Sequence, residues 1–578
     1  MEAGKSAIGL LVVCQIAVGL ILTGEAADPS GTGRRGARFT VVEASIAELR
    51  TAMERRRVSA RQIVTEYLAR VGMYEDGLHA ALAVNRQALA DADQRDQERA
   101  AGRVRGPLHG IPIAIKDNIH TTTMPTTGGA LVFDRFVPPY EATLVTNLRA
   151  SGAIIIAKTG MTELANWIAG APRPMPANYN ALGGFGFNPY DPRRDPRLQT
   201  FDGRPALSTG GSSSGSGTTA SLWAANVGTE TFGSILSPSS QNMLVGIKPT
   251  VGRISRYGVI PITADQDTPG PMARSVADAA ILLGVLESAV PDPHDPATGR
   301  CSVPPGRDYT RFLRSGALRG ARLGVPRAYF YERVVPPGTL QPVGGLLPEQ
   351  EQVMADAIAA LQKQGAVIVD PADMPSVVDQ DPTSNALLWP ICDGAARGRG
   401  NDAGCSIVLK YGMKRDFNQW LSTLGPSAPV KSLTELRDWN AAHEQAGAIK
   451  FGQANLDISD EMDVEGDRSR YEADRRKDLR LFAEHGIDEV MDRERLDALL
   501  FPGSTAAVAS RPGYPTVIVP FGKVPNAPNA PFPEGFDART QPFGVSFTGK
   551  PCSEPRLLGL AYAFEQATRK REAPADTP

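Results

Sequence analysis

The chain is poor in the residues that metal and redox chemistry uses. It carries 5 cysteines and 6 histidines in 578 residues, with no CxxC pair and no Cys/His spacing of the zinc type, so no metal is expected. An excess of either charge is also missing: 61 Lys and Arg stand against 63 Asp and Glu, a formal net charge of −2. That balance leaves no field to attract nucleic acid or an anionic membrane surface, and neither is expected as a partner. No long apolar run follows residue 22, which excludes a polytopic membrane protein. No internal repeat breaks the chain into similar units. Hydrophobic residues at 42% and charged residues at 21% fit a globular chain instead. Glycine (58) and proline (47) are plentiful, above their usual ~7% and ~5%, which predicts many structured loops.

The N-terminus reads as an export signal. Lys5 precedes an apolar stretch from Ala7 to Leu22, and Gly24-Glu25-Ala26 places small residues at −3 and −1 of a cut after Ala26. The stretch is broken by Gln15 and is shorter than the ~20 residues of a spanning helix. The expectation is a periplasmic or secreted protein with no stable membrane association after cleavage. Once Cys14 is removed, Cys301, Cys392, Cys405 and Cys552 remain. A Cys392–Cys405 bridge and four free thiols are both open readings in an oxidising compartment.

The expected organisation is a signal peptide over 1–26, a linker over 27–40, one large domain over 41–572 with a mostly helical insert at about 370–495, and a tail over 573–578. Ile46, Leu49 and Met53 recur at helical spacing, and Ser59 is placed to cap a second helix with the stripe Ile63, Val64, Tyr67 and Leu68. A third, charged helix is expected near 85–101. Gly110 to Asp117 then reads GIPIAIKD, a short apolar run ending in charge, and SGAIIIAKTG is a second; both are read as buried strands around a helix at 142–151. Residues 170–207 lack periodicity and are read as an active-site rim. Pro348 and Gly365 bracket a helix followed by a strand at 366–369, and the chain closes with strands at 497–501, 516–519 and 544–547 and an amphipathic helix near Leu557 to Phe564. Asp467 to Arg480 is read as a solvated helix face.

The chemistry concentrates in STGGSSSGSGTTASLWAANVGTETFGSILSPSS, residues 208–240. A flexible Gly/Ser linker would fit the composition but not its apolar residues Leu222, Trp223 and Val227. Gly215 to Ala220 matches a loose phosphate-binding pattern without the strand that should precede it. Gly211-Ser212-Ser213-Ser214-Gly215 has the form of a nucleophile elbow centred on Ser213, but Arg204-Pro205 stands where a strand is needed. Lys116 offers another route. A lysine closing an apolar strand, walled by Ile113 and Ile115, would have a lowered pKa and serve as a neutral base for a serine. Gly228 to Ser234 reads as a glycine-bounded turn able to present backbone N–H groups to an oxyanion.

Five ordered segments, GIPIAIKDN, GGSSSGSG, GTETFGSILSPSS, GIKPTVGRISRYGVIP and QDTPGPMARSVADAA, resemble the amidase signature family over about residues 41–568. Within it the GTET form is most similar to bacterial peptide amidases and exported or aryl amidases. The resemblance implies an α/β fold, a single large α/β/α domain whose mixed β-sheet is covered by helices on both faces. It implies hydrolysis of a C–N amide bond through a serine acyl-enzyme with a Ser-cisSer-Lys triad. Lys116 matches the lysine, Ser212 the bridging serine after a cis peptide, and Ser234 the nucleophile; Thr231, Phe232 and Gly233 match the backbone oxyanion donors. No cofactor is implied, and the partner is a small-molecule or peptide amide.

Two features depart from the family pattern. Phe232 stands where Gly or Asp is usual, which narrows the acyl pocket, and the segment between Ser212 and Ser234 is shorter, with the loss expected in a helix-like ASLWAANV. The alternatives are a serine esterase built on Ser213 and an inactive amidase-fold binding protein. Trp167 and Tyr179 are candidates for the pocket mouth, while Lys248, Asp267 and Arg274 fit structural roles, and Ser213 and Ser214 fit loop support.

Overall fold

A computed structural model describes residues 39–200 and 202–578. Residues 40–578 form one compact unit; the expected signal peptide and nearly all of the linker lie outside the described residues. Eleven strands form one mixed sheet: β1 (Ala81–Val84), β2 (Pro112–Lys116), β3 (Ile154–Thr159), β4 (Ala225–Glu230), β5 (Val245–Lys248), β6 (Thr268–Ala273), β7 (Arg322–Gly324), β8 (Val367–Val369), β9 (Ala498–Pro502), β10 (Thr516–Val524) and β11 (Gln541–Thr548). Their spatial order is β1-β3-β2-β4-β6-β5-β10-β11-β9-β7-β8. Helices cover both faces, among them Val276–Leu286 against β6 and Glu554–Thr568 and Pro348–Lys363 against β10. This is the α/β/α architecture expected.

The centre of the functional half is a parallel trio. β2 lies between β3 and β4, parallel to both, and Ile113, Ala114 and Ile115 are fully buried. A strand covered on both faces is an unbroken apolar run rather than an alternating one, and that is why GIPIAIK was legible. The carboxyl ends of these strands bring Lys116, Thr159 and Glu230 to one edge, the position at which open α/β sheets build their sites.

Local signals hold the helices as read. Ser45 and Ser59 each form a capping box, with Glu48 and Gln62 respectively. Pro348 starts its helix, and Gly365 at φ +87° lets the chain turn out of it.

Four expectations need correction. ASLWAANV is not helical: after one turn at Ser216–Thr219 the chain enters β4, because Ala225 to Val227 pair with β2. Gly228 to Glu230 therefore belong to that strand, and the turn is confined to 231–234. The rim is only the start of 170–207; Asp191 and Asp195 fold back on Arg193 and Arg197, whose guanidinium groups reach the carbonyls of Asp537, Asn529 and Ala530 instead. Finally, Asp467 to Arg480 is not a wholly solvated face, since Asp474 and Asp478 are buried, Asp478 beneath Trp389 and Ser406.

Both cysteine pairs are joined, Cys301 to Cys552 and Cys392 to Cys405. The last residues are tied down as well: Arg70 donates to the carbonyls of Thr577 and Pro578.

Candidate active site

Lys116 ends β2 with its side chain fully buried. Its Nζ donates to Ser212 Oγ at 2.7 Å, to Thr229 Oγ1 at 2.9 Å and to the Thr229 carbonyl at 3.2 Å. No carboxylate among the described residues comes within ion-pair distance of it. Desolvation lowers its pKa to about 7, against the smaller upward pull of Asp267 and Glu230. The neighbouring buried Lys158 differs, since its Nζ sits 3.1 Å from Asp117.

Ser212 is held by its backbone. Its carbonyl accepts from Thr162 N, and the following amide of Ser213 donates to the Ser234 carbonyl at 3.2 Å. Gly210, at φ +79°, passes so close to Pro238 that a Cβ would lie 2.6 Å from that backbone. The peptide bond before Ser212 departs from expectation. The cis bonds of the described residues precede Pro172 and Pro371, and Gly211–Ser212 is not among them. Ser212 Oγ reaches Lys116 Nζ at 2.7 Å in this arrangement.

Ser234 follows the turn that leaves β4 and is buried at the floor of a cleft of about 900 Å³. Its hydroxyl has no protein partner among the described residues and is not hydrogen-bonded to Ser212. The backbone around it is poised. Thr231, Phe232, Gly233 and Ser234 all line the cleft, Gly233 adopts φ +84°, and none of their four amides donates to another protein group among the described residues. Free N–H groups converging in a left-handed turn form an anion-binding nest. Two carboxylates fix this turn from behind. Glu230 accepts from the amides of Ile235 and Leu236 and from Ser510 Oγ. Asp267 accepts from Thr231 Oγ1 at 2.5 Å and from the amides of Ile262 and Thr263.

The remaining candidates divide. Ser213 Oγ is spent on the Thr229 backbone, donating to its carbonyl and accepting from its amide, as loop support requires. Trp167 lines the cleft, whereas Tyr179 packs on Phe185 and Phe451 away from it. Arg274 donates to the carbonyls of Thr218, Trp223 and Ala44, a structural role. Lys248 is buried in the sheet outside the cleft.

Sequence reasoning missed the far wall. Val377, Trp389 and Phe482 come from a stretch that carried no recognisable chemistry, Arg511 follows it, and Ala165 and Asn166, which continue a left-handed run begun at Leu164 (φ +44°, +56° and +72° in chain order), also line the cleft. The aromatic residues Trp389 and Phe482 were the only signal that could have marked it.

The family model Amidase matches residues 62–558. The chain belongs to the amidase signature family. It is 32% identical over 550 residues to a probable amidase of Arabidopsis thaliana, covering 94% of this chain and 93% of that one. Among solved structures, native peptide amidase from Stenotrophomonas maltophilia superposes with a TM-score of 0.75 at 32% identity, over 92% of this chain and 98% of that one. An amidase family protein from Bacillus anthracis superposes with a TM-score of 0.74 at 27% identity, over 92% of each chain. This amidase is therefore a hydrolase of C–N amide bonds, and the esterase alternative is not favoured.

Proposed function

We propose that Lys116, Ser212 and Ser234 carry the hydrolysis, with Ser234 as nucleophile. The observation that carries this is the Lys116–Ser212 hydrogen bond at 2.7 Å beside a cleft whose floor holds Ser234 and four unused amides. Neutral Lys116 takes the Ser212 proton as Ser212 takes that of Ser234, once rotation of the two hydroxyls brings them into contact. Ser234 Oγ bonds to the amide carbon, and the amides of Thr231, Phe232, Gly233 and Ser234 receive the oxyanion. The proton returns through Ser212 to the leaving nitrogen as the C–N bond breaks. Water then attacks the acyl-enzyme by the same relay and releases the acid.

The cleft favours apolar amides. Trp167, Phe330, Trp389 and Phe482 line it, and the Phe232 ring, 46% exposed, stands next to the nucleophile. Two disulfides and the leader read in residues 1–26 support export to the periplasm or beyond, with the catalytic domain following the 27–40 linker.

A fluorophosphonate probe followed by peptide mass spectrometry tests the assignment. The adduct is expected on Ser234 and is expected to vanish in Lys116→Ala; an adduct on Ser213 that persists without Lys116 would overturn the relay, and no adduct on a folded sample would favour the inactive binding protein.

A further inference from the structure

The loop at 262–267 stands between the oxyanion turn and the helical insert. Toward the turn, Asp267 Oδ1 accepts from Thr231 Oγ1 at 2.5 Å, and its Oδ2 accepts from the amides of Ile262 and Thr263 at 2.8 and 3.0 Å. Gln266 Nε2 donates to the Thr231 carbonyl at 3.2 Å. Thr231 is therefore tied to the loop by its hydroxyl and its carbonyl, while its amide stays unspent.

Toward the insert, the same loop meets two helices. In Val408–Thr423, Gly412 comes so close that a Cβ there would lie 2.3 Å from Thr263 Oγ1, and Asp416 Oδ2 accepts from the Ala264 amide at 2.7 Å. In Arg468–Leu479, the Tyr471 hydroxyl donates to Asp265 Oδ2 at 2.8 Å, and Arg475 Nη2 donates to the Asp265 carbonyl at 3.3 Å. Arg415 joins these contacts. Its Nε and Nη2 meet Asp416 at 2.6 and 2.9 Å, and the same Nη2 reaches Asp265 Oδ2 at 3.2 Å. The guanidinium carbon lies 4.9 Å from the centre of the Tyr471 ring.

Stability alone gives little reason for this cluster. The Arg415 side chain is 27% exposed, and ion pairs open to water contribute little to folding. Geometry gives a better one. Oxyanion donors work by being aimed before the charge develops, and a misplacement of about 1 Å can cost about a hundredfold in rate. A turn whose amides must stay free cannot be braced by those amides, so it is braced by side chains and by whatever holds them.

We propose that Arg415 is a positioning residue for the oxyanion turn: by gripping Asp416 and Asp265 together it fixes the 262–267 loop, and through Asp267 and Thr231 it sets the aim of the turn's amides. This rests on Thr231 to Ser234 serving as the oxyanion donors. Arg415 is not among the residues that line the cleft, whereas Ile262 of the loop is, so the test must separate rate from binding.

Fluorophosphonate labelling of Ser234 in the full chain at rising probe concentration does so. It yields a maximal rate, set by the nucleophile and the oxyanion donors, and a half-saturating concentration, set by binding in the cleft. Arg415→Gln is expected to lower the maximal rate about tenfold and to leave the half-saturating concentration unchanged. Thr231→Val, which keeps every backbone amide and removes the hydroxyl tied to Asp267, is expected to do the same. The double variant is expected to fall little further than either alone, because both cut one chain of contacts; independent effects would multiply to about a hundredfold. Arg415→Lys keeps a cation beside both carboxylates but lacks the fork that spans them. It is expected to lose rate while its melting temperature stays near that of the wild type, which guards against misfolding. A multiplicative double variant, a single variant with an unchanged maximal rate, or a shift in the half-saturating concentration alone would overturn the proposal. Absence of label on Ser234 in the wild type would instead remove the reading on which it rests.

Discussion

Lys116 Nζ lies 2.7 Å from Ser212 Oγ with no carboxylate in ion-pair range, while on the adjacent strand Lys158 Nζ lies 3.1 Å from Asp117. Two buried lysines a strand apart thus meet opposite electrostatic conditions. Burial lowers both amines, the first to about 7, while Asp117 pulls the second back toward its charged form.

The pH profile should report the first of them. Burial lowers Lys116 to about 7, and the relay needs the unprotonated amine, so kcat/KM should rise with pH through a limb near 7 and level off above it. Asp267 is itself pushed up to about 7 by burial, so its ionisation falls in the same range and sharpens or broadens that limb by coupling. A limb displaced to the ordinary lysine range would contradict the proposed base.

Stability should move in opposite directions at the two lysines. Below about pH 7 the native chain must hold Lys116 protonated in a site that disfavours charge. Between about 7 and its unfolded value the unfolded chain binds the extra proton, so this burial costs stability at neutral pH and is relieved as pH rises. Lys116→Met should therefore abolish turnover yet raise stability by about 1–2 kcal/mol, after the lost hydrogen bonds to Ser212 and Thr229 are counted. Lys158→Met should lower it by about 3–5 kcal/mol by stranding buried Asp117. Urea midpoints of the two variants at pH 7 decide the matter.

At the mouth of the nucleophile pocket, Phe232 is the exposed aromatic. Phe232→Ala retains the backbone amide and removes the ring, so bulky acyl groups should gain in kcat/KM by about tenfold relative to acetamide-sized ones, a difference of about 1.4 kcal/mol. Competition between a branched and a linear amide, run on both proteins, measures the ratio.

The disulfides differ in reach. Cys301–Cys552 spans 251 residues of sequence and Cys392–Cys405 spans 13, so loop-closure entropy assigns about 5 and about 3 kcal/mol to them. Replacing each pair with serine should lower stability in that order. Only the Cys392–Cys405 replacement should also raise KM, because Trp389, Pro390 and Ile391 beside it line the cleft. Melting temperatures and kinetics of the two double variants separate the effects.

Legibility in the sequence tracked how locally each feature is encoded. GIPIAIK announced a doubly covered strand because burial on both faces demands an unbroken apolar run. Ser59, Pro348 and Gly365 announced helix ends through groups acting within four residues. The order of eleven strands was not readable, since β5 and β10 meet from opposite parts of the chain. Ser212 and Lys116 were recognisable through resemblance, but their 2.7 Å contact is a tertiary fact. ASLWAANV looked helical because its small residues suit either state, and pairing with β2 decided it. The wall built from Trp389, Phe482 and Arg511 was marked only by its two aromatic residues, and each is ordinary until Asp478 is buried behind it.

The strand beside Val245–Lys248 is Thr516–Val524, and this fixes the timing of assembly. A chain emerging from the ribosome presents its lysine and both serines long before Thr516 exists, and until then the half-sheet that carries them ends in an unpaired edge open to wrong partners. The nascent protein therefore depends on delay or protection until its last sixty or so residues arrive, and a fragment ending before Thr516 is expected to aggregate rather than fold.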